Sequence, residues 1–77
     1  MHELAIVESM VDAAEEHSGG RHVKRMVLQI GALSAVLPDA IRFAWDVATE
    51  GTLVEGAALD IVEVPGADVK IVRMEVA

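Results

Sequence analysis

The chain opens Met1-His2-Glu3, and these residues carry most of the chemistry that its side chains and termini offer. An unblocked Met1 supplies an amine. The His2 amide nitrogen, once a metal has displaced its proton, closes a five-membered chelate with that amine. The His2 imidazole closes a six-membered ring from the same residue. Three nitrogen donors thus come from two residues, with little chain entropy lost on binding. Strong nitrogen donors in this arrangement suit the square-planar or tetragonal coordination that Ni2+ adopts. A further donor must come from elsewhere, and Glu3 is the nearest source, through its backbone nitrogen or its carboxylate. The site requires Met1 to be the true terminus, and the bulk of His2 favours retention of the methionine. The plainer reading of Met-His-Glu is a start residue followed by the first turn of a helix.

Other residues offer less. His17 and His22 flank Gly19-Gly20 and read as solvated side chains rather than a second metal pair, with His17 also complementing a helix C-terminus. Met10, Met26 and Met74 read as core filler, because no sulfur cluster accompanies them. Ser9, Ser18 and Ser34 have no base that the sequence places beside them. Phe43 and Trp45 read as core, and Glu8, Asp12, Glu15 and Glu16 as a hydrated helix face. There is no cysteine, which excludes disulfides, thiolate metal sites and cysteine nucleophiles. Without a phosphate loop or a nucleophile arrangement, an enzyme is not expected.

Thirteen acids against six Lys and Arg give a formal charge of -7 over 77 residues. That balance disfavours nucleic acid, which needs a basic face to displace counterions, and anionic membrane surfaces. The longest apolar stretch, Met26 to Pro38, is interrupted by Gln29, Gly31 and Ser34 and falls short of the roughly 20 residues of a membrane-spanning helix. Glu3, Glu8 and Asp12 stand where a signal peptide needs a basic head and an apolar run, so a cytoplasmic protein is expected. One small domain is the upper limit for this length. With 53% hydrophobic residues and two aromatics, its core must be aliphatic.

The elements that position the N-terminus follow from periodicity. Leu4, Val7, Met10, Val11 and Ala14 recur at spacings of three and four and predict a helix over Glu3 to His17, ended by Ser18-Gly19-Gly20. A strand is predicted from about His22 to Ile30, with Met26, Leu28 and Ile30 on one face and Val23 and Val27 on the other. Gly31 opens a loop, Ala32 to Leu37. Pro38 suits the first turn of a second helix that runs to about Thr49, with one narrow polar stripe of Asp39, Arg42, Asp46 and Thr49. Such a helix is expected to be covered on most of its circumference. Gly51 ends it. After a loop over Thr52 to Gly56 come strands over Ala58 to Val64 and Val69 to Glu75, joined by turn chemistry in Pro65-Gly66-Ala67-Asp68. The order αβαββ implies an α+β fold. The expected sheet is mixed and three-stranded, with both helices on one face, a parallel crossover between the first two strands and an antiparallel hairpin from the last two. The second sheet face, with Val23 and Val27, is expected to need covering.

Several segments resemble the HypA family of nickel metallochaperones. Met1-His2-Glu3-Leu4 looks like the family's opening. The run Gly31-Ala32-Leu33-Ser34-Ala35-Val36-Leu37-Pro38 resembles its G-x-L-S-x-V-x-P stretch. Thr49 to Leu59 is similar to T-x-G-T-x-x-E-G-A-x-L. Val62-Glu63-Val64-Pro65-Gly66 resembles the run into the family's zinc module, and Val69 to Val76 its closing strand. The resemblance implies Ni2+ held at Met1, His2 and Glu3 for insertion into [NiFe]-hydrogenase, and in some organisms urease. It implies as partners the maturation GTPase HypB and the precursor of the hydrogenase large subunit. The alternative is an adaptor that docks the GTPase without binding metal. The family's two Cys-x-x-Cys pairs are missing: four residues stand between Val64 and Val69, so the zinc module reads as deleted and no zinc is expected. So short a link also raises the expectation that the last strand exchanges between two copies, giving a swapped homodimer.

Overall fold

The structure, a computed structural model, describes residues 3–77. Its elements run α1 (Glu3–His17), β1 (Val23–Gly31), α2 (Pro38–Ala48), β2 (Ala58–Val64) and β3 (Val69–Val76). The αβαββ order and mixed three-stranded sheet are those expected from the sequence. α1 turns Val7, Met10, Val11 and Ala14 into the core, as a repeat of three and four residues must when one stripe of a helix is covered. β1 supplies Met26, Leu28 and Ile30 to that same core, and α2 supplies Ile41, Ala44 and Trp45. The Trp45 indole N–H donates to the Ala57 carbonyl at 3.1 Å, so the ring is buried with its one donor satisfied, a bond of about 1 kcal/mol.

The strand order is β2-β1-β3. β1 runs parallel to β2, with Met26 opposite Leu59 and Leu28 opposite Ile61. It runs antiparallel to β3, with Met26 opposite Met74 and Ile30 opposite Val69. The expected hairpin between the last two strands therefore does not form. Residues 65–68 are a turn, but they carry the chain across the end of β1 and deliver β3 to its far edge. Three backbone bonds of 2.8 Å hold the crossing: Gly31 N–H to Asp68, Ala32 N–H to Val64 and Leu33 N–H to Gly66. β1 is the strand whose core face is most completely buried, and pairing on both its edges satisfies its backbone away from water. Gly31 makes the crossing possible, because a Cβ there would lie 2.7 Å from the Gly66 carbonyl carbon and 2.9 Å from the Asp68 nitrogen.

Two further expectations are corrected. Val23 does not share the outer face with Val27. It is fully buried, because the register shifts between Val23 and Arg25 and the Val23 N–H is drawn to the Leu53 carbonyl at 2.9 Å. The rest of that outer face is mixed. Arg25 pairs with Asp60, and Arg73 with Glu75 at 2.9 Å, while Val62, opposite Gln29, is 44% exposed.

The second concerns α2. Its circumference is not mostly buried, and Phe43 is 76% exposed while Thr49 is 3% exposed. At about 100° per residue, Phe43 stands about 200° from Ile41 and from Trp45, on the opposite side of the helix. Thr49 is drawn inward because its hydroxyl donates to the Trp45 carbonyl at 2.7 Å. No helix among the described residues is long and apolar enough to cross a membrane.

Candidate metal centre

Of the residues that the sequence marks for a metal, Met1 and His2 lie outside the described residues. Glu3 is the first residue of α1, where a carboxylate also complements the helix dipole. Its side chain serves a second helix. The Leu37 N–H donates to Glu3 Oε2 at 3.1 Å, across 34 positions of sequence. Leu37 is the residue from which α2 departs, and it offers no side-chain cap; Pro38 follows in the first turn. A helix entered through Leu-Pro lacks the Ser, Thr, Asp or Asn that would satisfy its N-terminal N–H groups locally. Glu3 brings a negative charge to that end from outside. The starts of α1 and α2 are thereby tied to one point, where the described residues begin.

The loop from β1 to α2 is shaped for this meeting. Ser34 N–H donates to the Gly31 carbonyl at 3.0 Å, and the Ser34 hydroxyl accepts from the Val36 N–H at 3.2 Å. Between them Ala35 takes φ +62°, the one non-glycine residue with positive φ among those described. A side chain in the left-handed region costs about 1 kcal/mol, and the loop's bonds on either side hold it there. Leu4 and Leu37 at this end are each more than half exposed, as are Phe43 and Val47 further along α2.

The His22 ring nitrogen Nε2 bonds the Glu55 carbonyl at 2.8 Å, tying β1 to the loop before β2, while His17 is exposed at the end of α1. Among the described residues, no three His, Asp or Glu side chains gather so as to hold a metal ion. Met10 and Met26 are core residues and Met74 packs against them. Ser18 Oγ is buried without a partner among the described residues, and Ser9 is exposed.

Sequence reasoning missed two features. The Glu3–Leu37 bond was invisible because its partners are far apart, although the uncapped Leu37-Pro38 start signalled that α2 needed an acceptor from outside. The exposure of Phe43 was signalled by its angle to Ile41 and Trp45.

Comparison with known proteins adds the following. The family model described as hydrogenase/urease nickel incorporation, metallochaperone, hypA matches residues 1–69. A hydrogenase maturation factor HypA of Nostoc punctiforme is 52% identical over 66 residues, covering 86% of this chain and 58% of the relative. One from Geobacter metallireducens is 50% identical over 66 residues, covering 86% and 60%. The chain thus spans under two thirds of the length of these curated relatives. The fold is similar to the solution structure of the Ni metallochaperone HypA from Helicobacter pylori, with a TM-score of 0.82, 24% identity, and coverage of 99% of this chain and 97% of that one.

Proposed function

Because the chain belongs to the HypA family of hydrogenase/urease nickel incorporation metallochaperones, we propose that it carries Ni2+ at its N-terminus, on Met1, His2 and Glu3, for insertion into [NiFe]-hydrogenase. The nickel is cargo rather than a reactant to be turned over. The donor set is the Met1 amine, the His2 amide and imidazole nitrogens, and the Glu3 amide nitrogen. The single observation behind the last choice is the bond from the Leu37 N–H to the Glu3 carboxylate. It directs that side chain toward α2. The amide nitrogen, in contrast, continues the row of backbone chelate rings begun at Met1 and His2. Four nitrogens in one plane match the preference of Ni2+. The overall negative charge adds a favourable field for a divalent cation.

In this reading the chain is a nickel-binding domain without a zinc module, and nickel is its only metal. Its partners are the GTPase HypB and the hydrogenase large-subunit precursor, met in the cytoplasm. Leu4 and Leu37, with Phe43 and Val47 further along α2, are the apolar contacts offered to the GTPase. That same surface supports the second reading, an adaptor that docks the GTPase without metal.

Calorimetry with Ni2+ on protein bearing a native N-terminus separates the two. The carrier takes up one equivalent, with a visible absorption band of planar Ni2+. His2→Ala or one added N-terminal residue abolishes both signals. An adaptor keeps GTPase binding through both changes and shows no specific uptake at the outset.

A further inference from the structure

Met26 and Met74 stand directly opposite one another where β1 pairs with β3. Both belong to the core face: Met26 is 1% exposed, and Met74 is half-buried against the core. Directly opposed residues of an antiparallel pair have Cβ atoms about 4.5–5.5 Å apart. Methionine is unbranched and turns about three bonds, so two such side chains can bring their sulfurs to one point. The two methionines line a cleft of about 390 Å³ between β3 and the last turns of α1. Ala13 and His17 form its α1 side, four positions apart and so on one helix face. The short side chain of Ala13 leaves room there. His17 is exposed at the helix end and brings an imidazole to the same cleft. Packing explains Met26 by itself, but it does not explain the cleft. Methionine ordinarily fills irregular gaps, yet here two of them border one that neither fills.

We propose that Met26, Met74 and His17 bind a soft monovalent cation, Cu+. Thioethers select Cu+ among the common metal ions, and imidazole also suits copper. All three donors are neutral when they ligate, so one positive charge enters the cleft and no anionic ligand is required. A divalent ion in the same apolar surroundings carries a much larger desolvation cost. Ni2+ instead favours nitrogen donors in a plane, of the kind offered at the start of the chain. His17 stands about 20 Å from Glu3 along α1, at 1.5 Å per residue, so the two sites are separate. Arg73 also lines the cleft, and its pairing with Glu75 at 2.9 Å offsets its charge. The copper site goes beyond the reading in which nickel is the only metal, and it does not rest on it.

The test uses the 77-residue chain with His2→Ala, which removes the N-terminal imidazole, and with methionine methyl groups labelled for NMR. Ag+ is the air-stable probe for the same soft donors. At one equivalent the methyl signals of Met26 and Met74 move together while that of Met10 stays. Competition for Cu+ against a chromophoric chelator then gives affinities. Met26→Leu, Met74→Leu and His17→Gln each weaken Cu+ binding by about tenfold or more, at least the effect of losing an outer-shell partner of a metal. Met10→Leu does not. Leucine conserves volume in place of methionine, and circular dichroism checks that each variant is folded. Nickel uptake at a native N-terminus is the same in Met26→Leu and Met74→Leu as in the parent, so the two sites succeed or fail independently. No uptake of Ag+ or Cu+ by the His2→Ala chain overturns the proposal. So does uptake that leaves the Met26 and Met74 methyl signals unmoved, or that is as tight in both leucine variants.

Discussion

The Leu37 N–H donates to Glu3 Oε2 at 3.1 Å, so the residue that opens α1 also holds the residue that opens α2. One carboxylate thus joins two elements, from the residue next in sequence to the proposed ligands Met1 and His2. The bond is at the surface, and its loss should cost about 0.5–1.5 kcal/mol. Glu3→Ala lowers thermal stability by that amount. Glu3→Gln, which keeps an acceptor and loses the charge, falls between. Chemical denaturation of the metal-free protein checks both.

The same residue separates side-chain from backbone ligation. If the Glu3 amide is the donor, Glu3→Ala still binds one Ni2+ with a planar spectrum. Glu3→Pro does not, because proline has no N–H to surrender to the metal. Proline is acceptable at the first position of a helix, so circular dichroism should show α1 intact in both variants. Equal loss of the planar band in the two would return the carboxylate to the site. Uptake should also weaken as pH falls, since amine, amide and imidazole must shed protons before they ligate.

At the far end of β1, Gly31 is a steric prediction. Gly31→Ala puts a methyl group against the backbone of Gly66 and Asp68, which cannot swing aside as a side chain would. The crossing must shift, and a loss of about 1–3 kcal/mol follows. For a domain of this size each kcal/mol lowers Tm by about 4–8 °C. Gly66→Ala is a different case, because a Cβ there meets open space but the backbone takes φ +103°.

Ala35 gives a prediction with a sign. With φ +62°, it sits where a β-branched residue fits worst. Ala35→Val should cost 1 kcal/mol or more, while Ala35→Gly is neutral or slightly stabilising, the relief of strain being offset by a more flexible unfolded chain. Thermal melts of the pair check it, and the two must move apart. Equal effects would mean that the loop's conformation is not set by this residue.

Much of the fold was legible because periodicity is local. The apolar spacing in α1, the alternation of Met26, Leu28 and Ile30, and Pro38 at a helix start each declare an element within a few residues. Strand pairing is not local. Pro65 to Asp68 shows a turn but does not say which strand receives β3, and that choice rests on a contact between Gly31 and Gly66. The candidate site divides in the same way. The ligand chemistry of Met1, His2 and Glu3 can be read from three consecutive residues, whereas the engagement of the Glu3 carboxylate depends on Leu37 and appears only when the chain is folded.

Phe43 shows how exposure separates stability from recognition. It was expected in the core on composition, yet it points away from Ile41 and Trp45 and is 76% exposed, with Val47 one turn later at 57%. Replacing either by Ser removes little buried area, so stability should change by no more than about 0.5 kcal/mol. If this face docks the GTPase, an exposed aromatic next to an aliphatic is the kind of anchor whose truncation costs most, about 2 kcal/mol or more. Phe43→Ser should then weaken GTPase binding more than tenfold and leave nickel stoichiometry and Tm unchanged. The opposite outcome, a loss of stability with GTPase affinity intact, would show that Phe43 packs within the domain and that docking uses another face.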